Sequence, residues 1–282
     1  MPITNFTFTT IAIASAFFGA IATILARTLL KDLKTQDILG INFLTMGATL
    51  VLVSPLFYHF KATVLSTSLV ILIAFIDTAA NYFFFKTFEK TEASVATPIL
   101  SLAPGFTFFF SWIFLSETIN IGSLLLSLAI IIAVVIFSVD FKNFAHSRKT
   151  TLIPALASSF LFGISAIPAK YLLNTLGAIN APTLYMFRAG FIALFALLLF
   201  RFTIQHITLR QYRIIFVRGL FVIVQWVLLY YALTKGNTGV AITLGNITPI
   251  FVFLLSILFL RESVTIKKII TAACVLILSL VI

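Results

Sequence analysis

Apolar residues run along this chain in blocks of about twenty, a length that as helix spans the roughly 30 Å of bilayer hydrocarbon. The pattern predicts ten such helices, at residues 6–26, 38–58, 64–85, 93–116, 119–139, 151–173, 181–200, 214–234, 238–260 and 264–282. Short polar gaps separate them. The most polar gap, DFKNFAHSRKT at 140–150, reads as a linker between two five-helix halves, 1–139 and 151–282. The first run lacks a small-residue cleavage pattern ahead of a polar domain, so it is expected to stay in the protein rather than leave as a signal peptide.

The runs are most informative where polar residues interrupt them. AFIDTAANYFFFK (74–86) sets Asp77 near the middle of the third helix. A carboxylate in hydrocarbon is costly or gives up its charge, so it asks for a reason. Asn81 lies one turn on and shares its face. Asp77 has two readings: it binds a cationic group of a solute or a proton, or it forms a structural ion pair with an intramembrane base such as Arg188 or Lys170. Those bases have two readings as well, since either can hold a carboxylate or phosphate or simply snorkel or pair. Gln225 and Trp226 on the eighth helix offer an amide and a stacking ring, suited to a planar solute or to ordinary packing. Arg218 reads as an anchor near a helix end, and Tyr230 and Tyr231 as interfacial belt residues.

The two halves repeat. A shift of 145 residues lays 90–121 over 235–266 without a gap. Pro104 then meets Pro249, Ser111 meets Ser256 and Glu117 meets Glu262. Ser101 and Asn246 also become partners, each three residues before a matched proline. A proline removes a backbone donor and breaks the helix, and such breaks near the midplane are places for substrate contact. A looser match sets ILAR (24–27) against IPAK (167–170). The matched glutamates suggest a shared structural role, capping the next helix. An odd number of helices per unit makes the second unit enter the membrane from the opposite side. The repeats are therefore expected to be inverted, as in many secondary transporters.

These residues carry a resemblance. Two five-helix repeats, each ending in PxFxFxxSxxFLxE, resemble the drug/metabolite transporter superfamily, EamA-like branch, over essentially the whole chain. AFIDTAANYFFFKTFEKT (74–91) and the 100–115 segment are also similar to the third and fourth helices of subfamily F of solute carrier family 35. The resemblance implies an all-α ten-helix fold and a central cavity lined by helices 1, 3, 4, 6, 8 and 9. It also implies substrates such as amino acids, nucleosides or nucleotide sugars, and no metal or prosthetic group.

Composition supports a membrane protein: 61% of residues are hydrophobic and 10% charged, with a mean hydropathy of +1.16. The net charge of +11 does not point to nucleic acid, because the basic residues sit in short gaps where they anchor helices at anionic headgroups. Fifteen Lys and Arg fall on one face against three (Lys61, Lys170, Lys235) on the face holding the N-terminus. The charge bias puts both termini outside, whereas the resemblance implies cytoplasmic termini. The single Cys274 allows no intrachain disulfide. His59, His146 and His206 lack metal-ligand spacing, and no phosphate loop or nucleophile elbow is present.

The expected protein is a multi-pass secondary transporter of the bacterial inner membrane, exporting or exchanging a small organic metabolite by alternating access, with protons as a candidate coupling ion. It is expected as a monomer or homodimer in the lipid bilayer, with no cofactor. The proposed substrate-binding residues are Asp77, Asn81, Ser101, Lys170, Arg188, Gln225, Trp226 and Asn246. The alternative is an intramembrane enzyme or a membrane scaffold without transport activity.

Overall fold

The computed structural model describes residues 3–30, 32–90, 99–118, 120–138, 149–200, 207–260 and 266–281. The linker at 140–150, Pro98 and Glu262 lie wholly or mostly outside these residues. The helices are α1 (Ile3–Leu29), α2 (Thr35–Val53), α3 (Val64–Lys90), α4 (Ala103–Leu115), α5 (Ile121–Ser138), α6 (Lys149–Lys170), α7 (Ala181–Phe200), α8 (Leu209–Lys235), α9 (Thr238–Gly245), α10 (Thr248–Leu260) and α11 (Ile266–Val281). Among the described residues, seven helical segments are long and apolar enough to cross a membrane, and Ala103–Leu115 and Ile121–Val134 are shorter apolar helices. Helix is the form that satisfies every backbone group where no water can.

The breaks fall where the repeat sets them. A turn at Ser101–Leu102 precedes α4, and a turn at Asn246–Ile247 separates α9 from α10. Each turn is followed by a helix with proline, Pro104 or Pro249, in its first turn, where a missing donor costs nothing. Other boundaries moved. α2 stops at Val53 and passes into a short 3₁₀ turn (Ser54–Leu56) that carries a proline in its first turn. α8 begins five residues before its apolar run because Thr208 and Gln211 form a capping box. After Pro168, α6 runs into a π-helical turn, Tyr171–Thr175.

The packing pairs exchange between halves. α1 packs on α8 and α3 on α6; α2 packs on α7; α3 packs on α7 and α2 on α8; α4 packs on α6 and α9 on α1; α5 packs on α11. Two hydrogen bonds repeat the pattern: Ser15 Oγ donates to the Gln225 carbonyl (2.8 Å) and Ser158 Oγ to the Ala80 carbonyl (3.0 Å). Ser158 stands at the same offset from Ser15 as Ile167 from Ile24, and Ala80 is the 145-shift mate of Gln225. Small residues set the close crossings, as expected where lipid supplies no hydrophobic drive between helices. A Cβ on Gly163 would stand 2.7 Å from Phe106 Cβ and 2.9 Å from the Ala103 carbonyl, which fixes α6 against α4.

Candidate functional site

Asp77 lies halfway along α3, fully buried, and its Oδ2 accepts a short hydrogen bond from Nε of Arg188 on α7. The ion pair named as one reading of Asp77 therefore exists, with Arg188 rather than Lys170 as its base. The pair uses one edge of the guanidinium. Nη1 and Nη2 of Arg188 and Oδ1 of Asp77 are buried without a hydrogen-bond partner. Aromatic rings wall the guanidinium: its carbon stands 3.7 Å from the ring centre of Trp226 on α8 and 5.3 Å from that of Tyr185 on α7. Trp226 and Tyr185 are nearly parallel at 6.4 Å between ring centres. Ser165 on α6 and Tyr230 on α8 flank the pair, and the Ser165 hydroxyl donates to the Phe162 carbonyl at 3.2 Å. Four helices, α3, α6, α7 and α8, thus bring one acid, one base and an aromatic box to a single buried spot.

The remaining proposed site residues are placed differently. Asn81 is half-buried and donates through Nδ2 to the Asp77 carbonyl of its own helix (2.8 Å). Gln225 packs against Gly19, on the α1 side of α8, where a Cβ on that glycine would meet its Nε2 at 2.8 Å. Ser101 is buried in the turn before α4. Asn246 ends α9, its N–H reaching the Ile242 and Thr243 carbonyls.

Lys170 has its own setting. Its Nζ donates to the Leu233 carbonyl and, at 2.7 Å, to the Gly236 carbonyl, and stands 3.8 Å from Glu117 Oε1. Glu117 accepts from the N–H (3.0 Å) and hydroxyl (2.7 Å) of Thr238, the first residue of α9. The glutamate therefore caps a helix of the other half, not the next helix as expected. The start of α5 is served instead by Asn120, whose Oδ1 accepts from the N–H of Gly122 (2.8 Å). Nearby, the loops before α3 and α7 are joined: the Lys61 N–H donates to the Ala178 carbonyl (2.7 Å) and Asn180 Nδ2 to the Phe57 carbonyl (2.6 Å). An open groove of about 460 Å³ lined by Trp112, Ile113, Ser116, Glu117 and Thr118 sits at the end of α4. None of its lining residues belongs to the aromatic box.

Two residues read as interfacial from their positions in the runs are buried. Arg218 is only 7% exposed, and its Nε and Nη1 have no hydrogen-bond partner. Tyr230 is 2% exposed and stands beside Trp226 (5.8 Å between ring centres). The signal for Arg218 was its helical phase with Val222, itself the repeat mate of Asp77. Placing the helix start at residue 214 hid it, because α8 actually begins at Leu209 and Arg218 lies nearly three turns in.

Comparisons with known proteins agree with this architecture. A family model described as the EamA-like transporter family matches residues 8–139 and again 149–282. The chain belongs to the EamA-like transporter family. It is therefore a multi-pass integral membrane protein of the drug/metabolite transporter superfamily, a family of transporters rather than enzymes. A solved crystal structure shares the EamA-like fold with a TM-score of 0.77 at 11% identity, over 96% of this chain and 94% of that one. Comparison with curated proteins finds no match.

Proposed function

We propose that this EamA-like chain is a secondary transporter of a small organic metabolite, exporting or exchanging it by alternating access between two inverted five-helix repeats, ten crossings in all. Its setting on this reading is the bacterial inner membrane. The observation that carries the reading is the Asp77–Arg188–Trp226 cluster, buried where helices of both repeats meet. Ionisable groups kept inside a membrane mark substrate or ion pathways by default, and midplane sites between repeats are where such transporters bind cargo.

The mechanism follows from what closes one face. The loops at 57–63 and 178–183 are stitched together, and Lys170, Glu117 and the start of α9 form a second seam on the same face. Both seams cross from one repeat to the other. Parting them lets the halves rock around the buried cluster and expose it on that side, while the other face closes.

The test locks a seam. In a chain with Cys274 replaced by serine, Lys61→Cys and Ala178→Cys stand opposite each other beside the isolated antiparallel bridge of Phe60 with Ile179, a spacing a disulfide bridges. In proteoliposomes loaded with a labelled panel of amino acids, nucleosides and organic acids, the reduced protein is expected to release at least one compound several-fold faster than protein-free vesicles. Oxidation is expected to stop that flux and reduction to restore it. Release no faster than from empty vesicles overturns the transporter reading. Full flux through the crosslinked protein overturns alternating access.

A further inference from the structure

The buried charges on α3, α7 and α8 do not balance. Asp77 offers one negative charge against two guanidiniums, Arg188 and Arg218, each at least nine-tenths buried. Tyr185 lies within the field of both. Arg188 spends its Nε on Asp77 and leaves the Nη1–Nη2 fork unpartnered. Arg218 lies 5.2 Å from the ring centre of Phe85 and leaves Nε and Nη1 unpartnered. Four donors on these two buried cations therefore lack a partner, while the unpartnered carboxylate oxygen among the described residues is Oδ1 of Asp77 and an amide oxygen, Oδ1 of Asn42, is also left open.

A buried cation without a counter-charge is costly, and a guanidinium's planar fork matches the geometry of a carboxylate or phosphate. From these donors, we infer that the cargo is a small organic anion, its carboxylate or phosphate taken by the free fork of Arg188 with Arg218 as the second cation, and its flat apolar part set against Trp226 and Tyr185. The inference rests on the transporter reading of this cluster and narrows it to a substrate class. A cationic cargo would leave all four donors unanswered and add a positive charge to an excess of one. Asp77 holds Arg188 through Nε and leaves Nη1 and Nη2 without a partner.

Trp226 supplies the readout, because the chain has two tryptophans and the other, Trp112, is exposed in the groove at the end of α4, outside the aromatic box. In the Trp112→Phe protein in lipid nanodiscs, Trp226 emission is titrated with four probes of one shape: phenylacetate, phenyl phosphate, phenylalanine and phenethylamine. Phenylacetate or phenyl phosphate is expected to change the emission saturably, and at least tenfold more tightly than phenylalanine or phenethylamine. Which acid binds better tells carboxylate from phosphate. Arg218→Gln is expected to weaken the acid at least tenfold, and Arg218→Lys less. Asp77→Asn removes the competing acceptor, so the acid is expected to raise its melting temperature more than it raises that of the Trp112→Phe parent. Zwitterion or amine binding as tight as the acid, no probe binding at all, or equal acid binding in Arg218→Gln each overturns the inference. The flux panel keeps the two readings apart: movement of a neutral or cationic compound with no acid binding sinks the anion and leaves the transporter standing.

Discussion

The α3–α7 interface and its counterpart between α8 and α2 are built by the same repeat and filled differently. The first holds Asp77 against Arg188. At the matching places the second holds Val222, buried, and Thr45, whose hydroxyl bonds back to the Ile41 carbonyl of its own helix (2.8 Å). Met46 fills the space beside them, and a Cβ on Gly219 would touch its Cγ at 3.1 Å. One fold therefore packs this junction twice, once with a buried ion pair and once without. A buried pair seldom stabilises more than apolar packing of similar volume. The difference teaches that the architecture does not require the pair, which is why the proposed transport reading assigns it to recognition.

The sharpest test copies the apolar junction into the charged one. Asp77→Val or Arg188→Thr alone leaves an unpaired buried charge and is expected to cost about 3–5 kcal/mol of stability, read as unfolding in detergent. Asp77→Val with Arg188→Thr is expected to recover most of that loss and to carry no flux. A double variant as unstable as either single one would break the comparison. A close crossing outside either junction gives the next effect. Gly163→Ala forces α6 from α4 and is expected to cost about 1–3 kcal/mol, the range for overpacking, with unfolding as the measure.

The seam is expected to respond less. Glu117→Gln removes a charge from the start of α9 and from Lys170, a loss of about 1–2 kcal/mol for a partly buried pair at a helix end. Labelling of a Ser116→Cys reporter in the Cys274→Ser background should rise with it, and unchanged labelling would separate Glu117 from the closed face. Asn81→Ala should have the smallest effect. Its amide bonds only to its own helix, so the change is expected to stay within about 0.5 kcal/mol; a larger loss of flux than of stability would return Asn81 to the site.

Much of the fold was legible from residue order. α7 begins and ends where its apolar run does, and the turns at Ser101 and Asn246 sit at the offset that pairs the prolines. Those features are local, set by hydropathy and missing donors. The site was legible only in part. Asp77, Arg188 and Trp226 stood out as polar or aromatic interruptions, but Ser165 and Tyr185 looked like any other residue of their helices, and Tyr230 read as an interfacial belt residue. Arg218 was hidden by a capping box, because polar first turns carry no hydropathy signal.

Residue order by itself determined that this chain lives in a bilayer, that it consists of two copies of one unit, and where those copies break. Tertiary structure decided which base answers Asp77, that Glu117 caps a helix of the opposite repeat, and that Arg218 is buried against Phe85. The physical reason is distance along the chain. Asp77 and Arg188 are 111 residues apart, Glu117 and Thr238 121. Their meeting depends on how each helix is rotated about its axis, which small-residue crossings such as Gly163 set and no local pattern records.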